Sequence, residues 1–160
     1  MTEGLQYVTL GVDREVFAIP VANVQEILDM QPIARLPHAP DYLLGIIDVR
    51  GRGVPVIDLR TKIGLPVAEA TASTRILVIE VEIEQRALLL GLVADRVFEV
   101  TGLDNDQVEP PPEIGRRWRS DSIKGVGRRR SEFVVVFDIV KLIAADALDL
   151  LATADAPLAA

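Results

Sequence analysis

The sequence predicts a mainly β protein built as two small barrels, and three observations carry that prediction. Short apolar stretches recur between turn signals, helical period is absent from the first sixty residues, and one strand unit occurs twice. A chain of 160 residues, 49% hydrophobic and 26% charged, lies outside the disordered class. At that length folding buries roughly 70% of the unfolded surface, enough for a core.

Tyr7 to Gly11 and Val16 to Ile19 read as strands joined by Asp13-Arg14, a pair suited to a hairpin turn. Pro20 fits the start of a single helical turn within VANVQEIL, after which the chain extends again. Three prolines between Pro32 and Pro40 require a loop. Leu43 to Val49 and Val54 to Leu59 read as strands across Arg50-Gly51-Arg52-Gly53, whose glycines permit positive φ in a tight hairpin. Arg75 to Val81 and Ala87 to Val93 pair around Glu84-Gln85. From Thr101 to Lys124, Pro110-Pro111-Pro112 and Gly115 predict irregular chain. Phe133 to Phe137 is the last buried strand, and Asp138 is placed to cap a C-terminal helix with apolar positions Ile139, Leu142, Ile143, Leu150 and Leu151. Residues 1–152 are expected to form the domain, with 153–160 a flexible tail.

The repeat decides the architecture. VPVIDL (Val54 to Leu59) aligns with VVVFDI (Val134 to Ile139) at an offset of 80, and each aspartate follows a glycine, Gly45 or Gly125, by thirteen residues. Val24-Gln25-Glu26-Ile27 aligns with Val97-Phe98-Glu99-Val100 at an offset of 73. The seven extra residues fall between Glu99 and Gly125, where the proline-rich stretch lies. Two copies of a strand unit imply two small barrels, each with a marginal core alone, packed through a shared apolar seam that makes a groove.

Composition excludes several chemistries. No cysteine is present, which removes disulfides, thiolate nucleophiles and thiolate-ligated metals. His38 is the single histidine, so a two-histidine metal site is impossible and a serine nucleophile would have only His38 as base. The longest run free of polar and charged side chains, Ala87 to Ala94, is eight residues. A membrane helix needs about 20, so no direct membrane insertion is expected. MTEGLQYVTL carries an acid and no basic stretch ahead of an apolar one, so it does not read as a signal peptide, and the cytoplasm is the expected compartment.

The net charge of −7 opposes general attraction to nucleic acid. Between Arg116 and Arg130, however, seven basic residues and Asp121 give +6, leaving −13 elsewhere. Arg116, Arg117, Trp118 and Arg119 form the centre of this segment and are a candidate extra protein contact. A nucleic-acid-binding barrel that stacks bases on Trp118 is the rival from another class.

Other motifs fail on their surroundings. Ser73, Ser120, Ser122 and Ser131 lack a GxSxG setting. Asp104-Asn105-Asp106 begins like a calcium loop, but Glu109 stands where glycine is required and Gly115 where glutamate is, so it reads as a turn. Gly51-Arg52-Gly53 and Gly125-Val126-Gly127 lack the third glycine and the following helix of a dinucleotide fingerprint. Asp58 and Asp138, followed by Leu59 and Ile139, suit helix capping better than a carboxylate dyad. No catalytic residue, metal or cofactor is expected.

YVTLGVDREVFAIPVANVQEIL, IARLPHAPDYLLGIIDVRGRGVPVIDLRTKIGLP, RILVIEV and LLLGLVADRVFEV together closely resemble the CheW family of bacterial chemotaxis coupling proteins, from about Tyr7 to Ile143. The resemblance implies two packed five-stranded SH3-like β-barrels and no catalysis. It implies an adaptor binding the cytoplasmic tip of methyl-accepting chemoreceptors and the regulatory domain of the chemotaxis histidine kinase, in membrane-associated arrays. An adaptor of a related chemosensory pathway, for twitching or surface sensing, fits the same strings.

The family's glycine–hydrophobic–Asn–Leu–Arg–Gly strand and turn is met by Gly45, Ile46, Ile47, Asp48, Val49, Arg50 and Gly51, with Asp replacing the usual Asn at 48. A carboxylate only accepts hydrogen bonds, so any contact using the amide as donor is lost. Arg50 matches the arginine implicated in receptor binding, and Glu26 resembles its ion-pair partner in an expected bidentate contact. Val24, Gly45 and Arg75 match positions near the receptor-binding face more loosely.

Overall fold

The computed structural model describes residues 4–110 and 122–144. Ten strands alternate with short turns: β1 (Tyr7–Val12), β2 (Glu15–Pro20), β3 (Val24–Asp29), β4 (Leu43–Val49), β5 (Arg52–Asp58), β6 (Arg75–Ile83), β7 (Arg86–Ala94), β8 (Arg96–Thr101), β9 (Ile123–Arg129) and β10 (Glu132–Phe137). Helix α1 (Leu59–Lys62) follows β5 and α2 (Ile139–Ala144) follows β10. Single 3-10 turns occupy Val21–Asn23 and Asp104–Asp106. The expected tail at 153–160 and the apolar positions Leu150 and Leu151 lie outside the described residues.

The strands form two five-stranded sheets, ordered β8-β1-β2-β10-β9 and β3-β6-β7-β5-β4. Position for position the orders are the same, which confirms the repeat. They also correct its reading, because neither barrel is one copy of the unit. The continuous barrel runs from Val24 to Ala94 and takes β3, β4 and β5 from the first copy and the β6–β7 hairpin from the second. The split barrel joins β1 and β2 of the first copy to β8, β9 and β10 of the second. In each, a parallel pairing holds the exchange together, β2 with β10 and β5 with β7.

The equivalent glycines have one cause. Gly45 lies against the Ala34 carbonyl so closely that a β-carbon would stand 2.1 Å from its oxygen, and at Gly125 the Glu109 oxygen would be 2.3 Å away. In both barrels the preceding loop crosses there and bridges the next residue, Ala34 with Ile46 and Glu109 with Val126. Gly45 also holds φ at +147°, a region closed to other residues. The two aspartates cap as expected. Asp58 accepts from Arg60 N at 3.2 Å and Thr61 Oγ1 at 3.0 Å, and Asp138 accepts from Lys141 N at 3.1 Å.

Three details differ from the sequence reading. The β4–β5 turn is only Arg50-Gly51, with φ of +53° and +83°, so Arg52 and Gly53 already lie in β5. This is the primed two-residue turn, whose twist suits a hairpin better than a four-residue loop. Leu59 opens α1 instead of ending the strand, because Asp58 caps there. Strand β9 was hidden by two glycines and three cations, and pairing with β10 forms it.

Apolar side chains fill three spaces. Tyr7, Ala18, Leu103, Val134 and Val136 fill the split barrel, and Ile47, Val54, Val56 and Ile76 the continuous one. The largest cluster is the seam between them, fed by Leu10, Val12 and Ile19 from one sheet and Leu77, Ile79, Leu88 and Leu90 from the other. Phe17 and Phe137 stack within it at 4.8 Å. On one flank Arg60 bridges the barrels, its Nη1 2.6 Å from Asp95 Oδ2 and its Nη2 3.5 Å from Asp13 Oδ1 in the β1–β2 turn.

Candidate functional site

Strands β3 and β4 are the two edges of the continuous sheet. Glu26 on β3 and Arg50 at the end of β4 meet across that gap, Nη2 to Oε2 at 3.0 Å. The contact uses one nitrogen and one oxygen, so the expected bidentate pairing is corrected to a single-pronged one. The Arg50 side chain is 83% exposed. A pair so wet contributes about 0–1 kcal/mol, and most of the guanidinium faces solvent.

Within the turn, Asp48 does what an acceptor can do. Its Oδ1 accepts from Gly51 N at 2.7 Å, closing the turn that presents Arg50. An acceptor suffices for that bond, so Asp serves as well as Asn. A cleft of about 280 Å³ opens beside the pair, lined by Gln25, Glu26, Val49, Arg50, Arg52 and Glu80 among others. Its walls belong to the continuous barrel alone. The groove was expected at the seam, but apolar side chains from both sheets fill the seam.

The remaining positions are spread out. Val24 is two residues from Glu26 and packs on the seam core. Gly45 lies five residues before Arg50 under the crossing loop. Arg75 stands opposite Asp29, three rungs along the β3–β6 ladder from Glu26, with Nε 3.4 Å from Asp29 and Nη1 on the Ala72 and Thr74 carbonyls. So the fold unites Glu26, Asp48 and Arg50 and leaves Arg75 apart. Arg116, Arg117, Trp118 and Arg119 lie outside the described residues. His38 sits exposed at a turn with φ +59°. Among the described residues no group of three His, Asp or Glu side chains is placed to hold a metal, and no helix is long and apolar enough to cross a membrane.

One pair escaped the sequence reading. Glu99 on β8 contacts Arg129 on β9, and these are the two edges of the split sheet. The offset that aligned Glu26 with Glu99 was the available signal. It stopped short because the offset of 80 carries Arg50 to Arg130, one residue beyond the arginine that makes the contact.

A family model described as the CheW-like domain matches residues 6–147, which takes in both barrels. The chain belongs to the CheW-like domain family. Chemotaxis protein CheW of Treponema pallidum is 29% identical over 94% of this chain and 88% of its own length, and that of Klebsiella aerogenes is 28% identical over 93% and 87%. The crystal structure of the scaffolding protein TtCheW from Thermoanaerobacter tengcongensis superposes with a TM-score of 0.77 at 25% identity, over 88% of this chain and 93% of that one. A CheW-like fold therefore accounts for the paired SH3-like barrels. The Glu26–Arg50 cleft lies within the matched region.

Proposed function

We propose that this chain is a non-catalytic coupling protein, linking the cytoplasmic tips of chemoreceptors to the regulatory domain of the chemotaxis histidine kinase. Membership of the CheW-like domain family across both barrels supports this, as do relatives named chemotaxis proteins and a structural neighbour named a scaffolding protein. The compartment in this reading is the cytoplasm, beside membrane-associated receptor arrays.

The observation that carries the site is Arg50, tethered by Glu26 yet largely exposed beside a cleft. In this reading Arg50 and Glu26 meet the receptor tip directly. Asp48 and Gly45 set the backbone that presents them, and Val24 and Arg75 flank the same strands. An apolar barrel surface pairs with a similar barrel on the kinase. No bond is made or broken. Each contact is weak alone, and multivalent assembly raises the effective concentration of every partner.

The test is capture of purified receptor signalling domain and histidine kinase by the immobilised chain. Both are expected to bind. Arg50→Glu should keep the melting curve and kinase binding while receptor affinity falls about tenfold or more, since a charge reversal opposes both Glu26 and the partner. Unchanged receptor affinity would reject the site, and capture of neither protein would reject the function.

A further inference from the structure

Strand alternation carries the interior of the continuous barrel out to its mouth. On β5 Arg52 shares a face with Val54 and Val56, and on β6 Glu80 shares one with Ile76 and Val78. Val54, Val56 and Ile76 belong to the core of that barrel. The next position along each stripe is a charge, and both charges line the Glu26–Arg50 cleft. The internal repeat shows that the fold does not set their signs. Counted from the two-residue turns, Arg52 occupies the rung of Glu132, Glu80 that of Thr9 and Glu82 that of Gly11. The split barrel forms with an acid, a hydroxyl and a glycine in their place.

The cleft is lined by two arginines and two glutamates, so net charge does not choose its occupant. Pairing does. Glu26 is taken by Arg50 at 3.0 Å. Among the described residues Arg52 makes no hydrogen bond or ion pair, and the Glu80 carboxylate is met only by the neutral Gln25 amide, Nε2 to Oε2 at 2.8 Å. Arg52 and Glu80 are both exposed. An unpaired cation and an unpaired anion thus share one cleft without meeting each other, beside the apolar side chains of Val49, Val78 and Leu89. Past Glu80 a second cleft continues the acidic end, with Glu82 and Asn23 in its wall. Polarity therefore runs one way, from the arginines at the β4–β5 turn to the glutamates of β6.

Resting on the receptor-coupling reading of the same cleft, we infer that Arg52 and Glu80 fix the direction in which the receptor tip seats there, Arg52 taking a carboxylate and Glu80 a cationic side chain on either side of an apolar contact. Opposite charges held apart at fixed sites favour one orientation of a partner and oppose its reverse, because like charges then face each other. The occupant is accordingly a segment that carries an acid and a base flanking an apolar side chain. A uniformly acidic or uniformly basic segment satisfies one end of the cleft and is repelled at the other.

The experiment titrates purified receptor signalling domain onto the immobilised full chain. Arg52→Glu and Glu80→Lys should each weaken binding about tenfold, with melting curves and kinase capture unchanged. The double variant carrying both substitutions keeps the net charge at −7 and should bind more weakly than either single variant, because both contacts are then repulsive. Glu69→Lys, an exposed position lining a different cleft, changes the charge as Glu80→Lys does and should leave binding intact. Double-variant binding restored to the level of the unsubstituted chain would overturn the inference by showing that net charge alone matters. Receptor binding weakened by Arg50→Glu but unmoved by Arg52→Glu and Glu80→Lys would overturn it too, and would spare the receptor-coupling reading. No capture of receptor by the unsubstituted chain would overturn that reading itself, and the inference with it.

Discussion

Asp104 shows how much one carboxylate organises at the residue scale. Its bonds from the Ser131 and Arg130 amides, with Arg129 and Arg128 nearby, hold its pKa below the usual carboxylate value. A depressed folded pKa means stabilisation that is present above the ordinary carboxylate pKa and is lost as pH falls through the folded one. The β9–β10 turn should therefore stay closed at neutral pH and loosen as pH falls through the lowered Asp104 pKa. Amide exchange at Arg130 and Ser131, followed from neutrality downward, checks this, and Asp104→Ala should open both amides at neutral pH. In the other barrel the Asp48 bond to Gly51 N does the same job. The sequence shows Asp48 to be local, three residues from its partner. It hides the Asp104 partnership, because 26 residues separate the groups and only the fold brings them together. Glu26 and Arg50, 24 apart, were legible only through the family resemblance.

At the scale of elements, Gly45 and Gly125 mark where a loop crosses a strand. Their matching offset is visible in the sequence, but its cause, a carbonyl pressed against the glycine, is not. Gly45→Ala adds a clash with the Ala34 carbonyl to a positive φ and should cost about 2–4 kcal/mol, at the upper end of single-residue effects. Gly125→Ala meets the Glu109 carbonyl and should also destabilise, by about 1–3 kcal/mol. Urea melts of the two variants measure both losses. A smaller effect at Gly45 than at Gly125 would contradict the conformational argument. Hairpins β1–β2, β6–β7 and β4–β5 were readable because turn residues sit between alternating strands. Strand β9 was not, because Gly125, Gly127 and three cations mask it and its existence depends on β10.

At the scale of the whole molecule, the seam joins what the exchange of hairpins divides. Its side chains come from both sheets and form the largest of the three clusters. Neither barrel should melt alone. Leu10→Ala, a fully buried position in the seam, should cost about 2–5 kcal/mol. Amides of both barrels should lose protection by the same amount, and a separate transition for either would refute the coupling. The sequence by itself determined the β class, the twofold repeat, the capping aspartates and the family, because these follow from local patterning and from strings of residues. Which hairpin completes which barrel, and which charged groups meet, was decided only by the tertiary structure. Two units with the same strand pattern can pair within themselves or with each other, and the choice rests on packing between residues far apart in the chain.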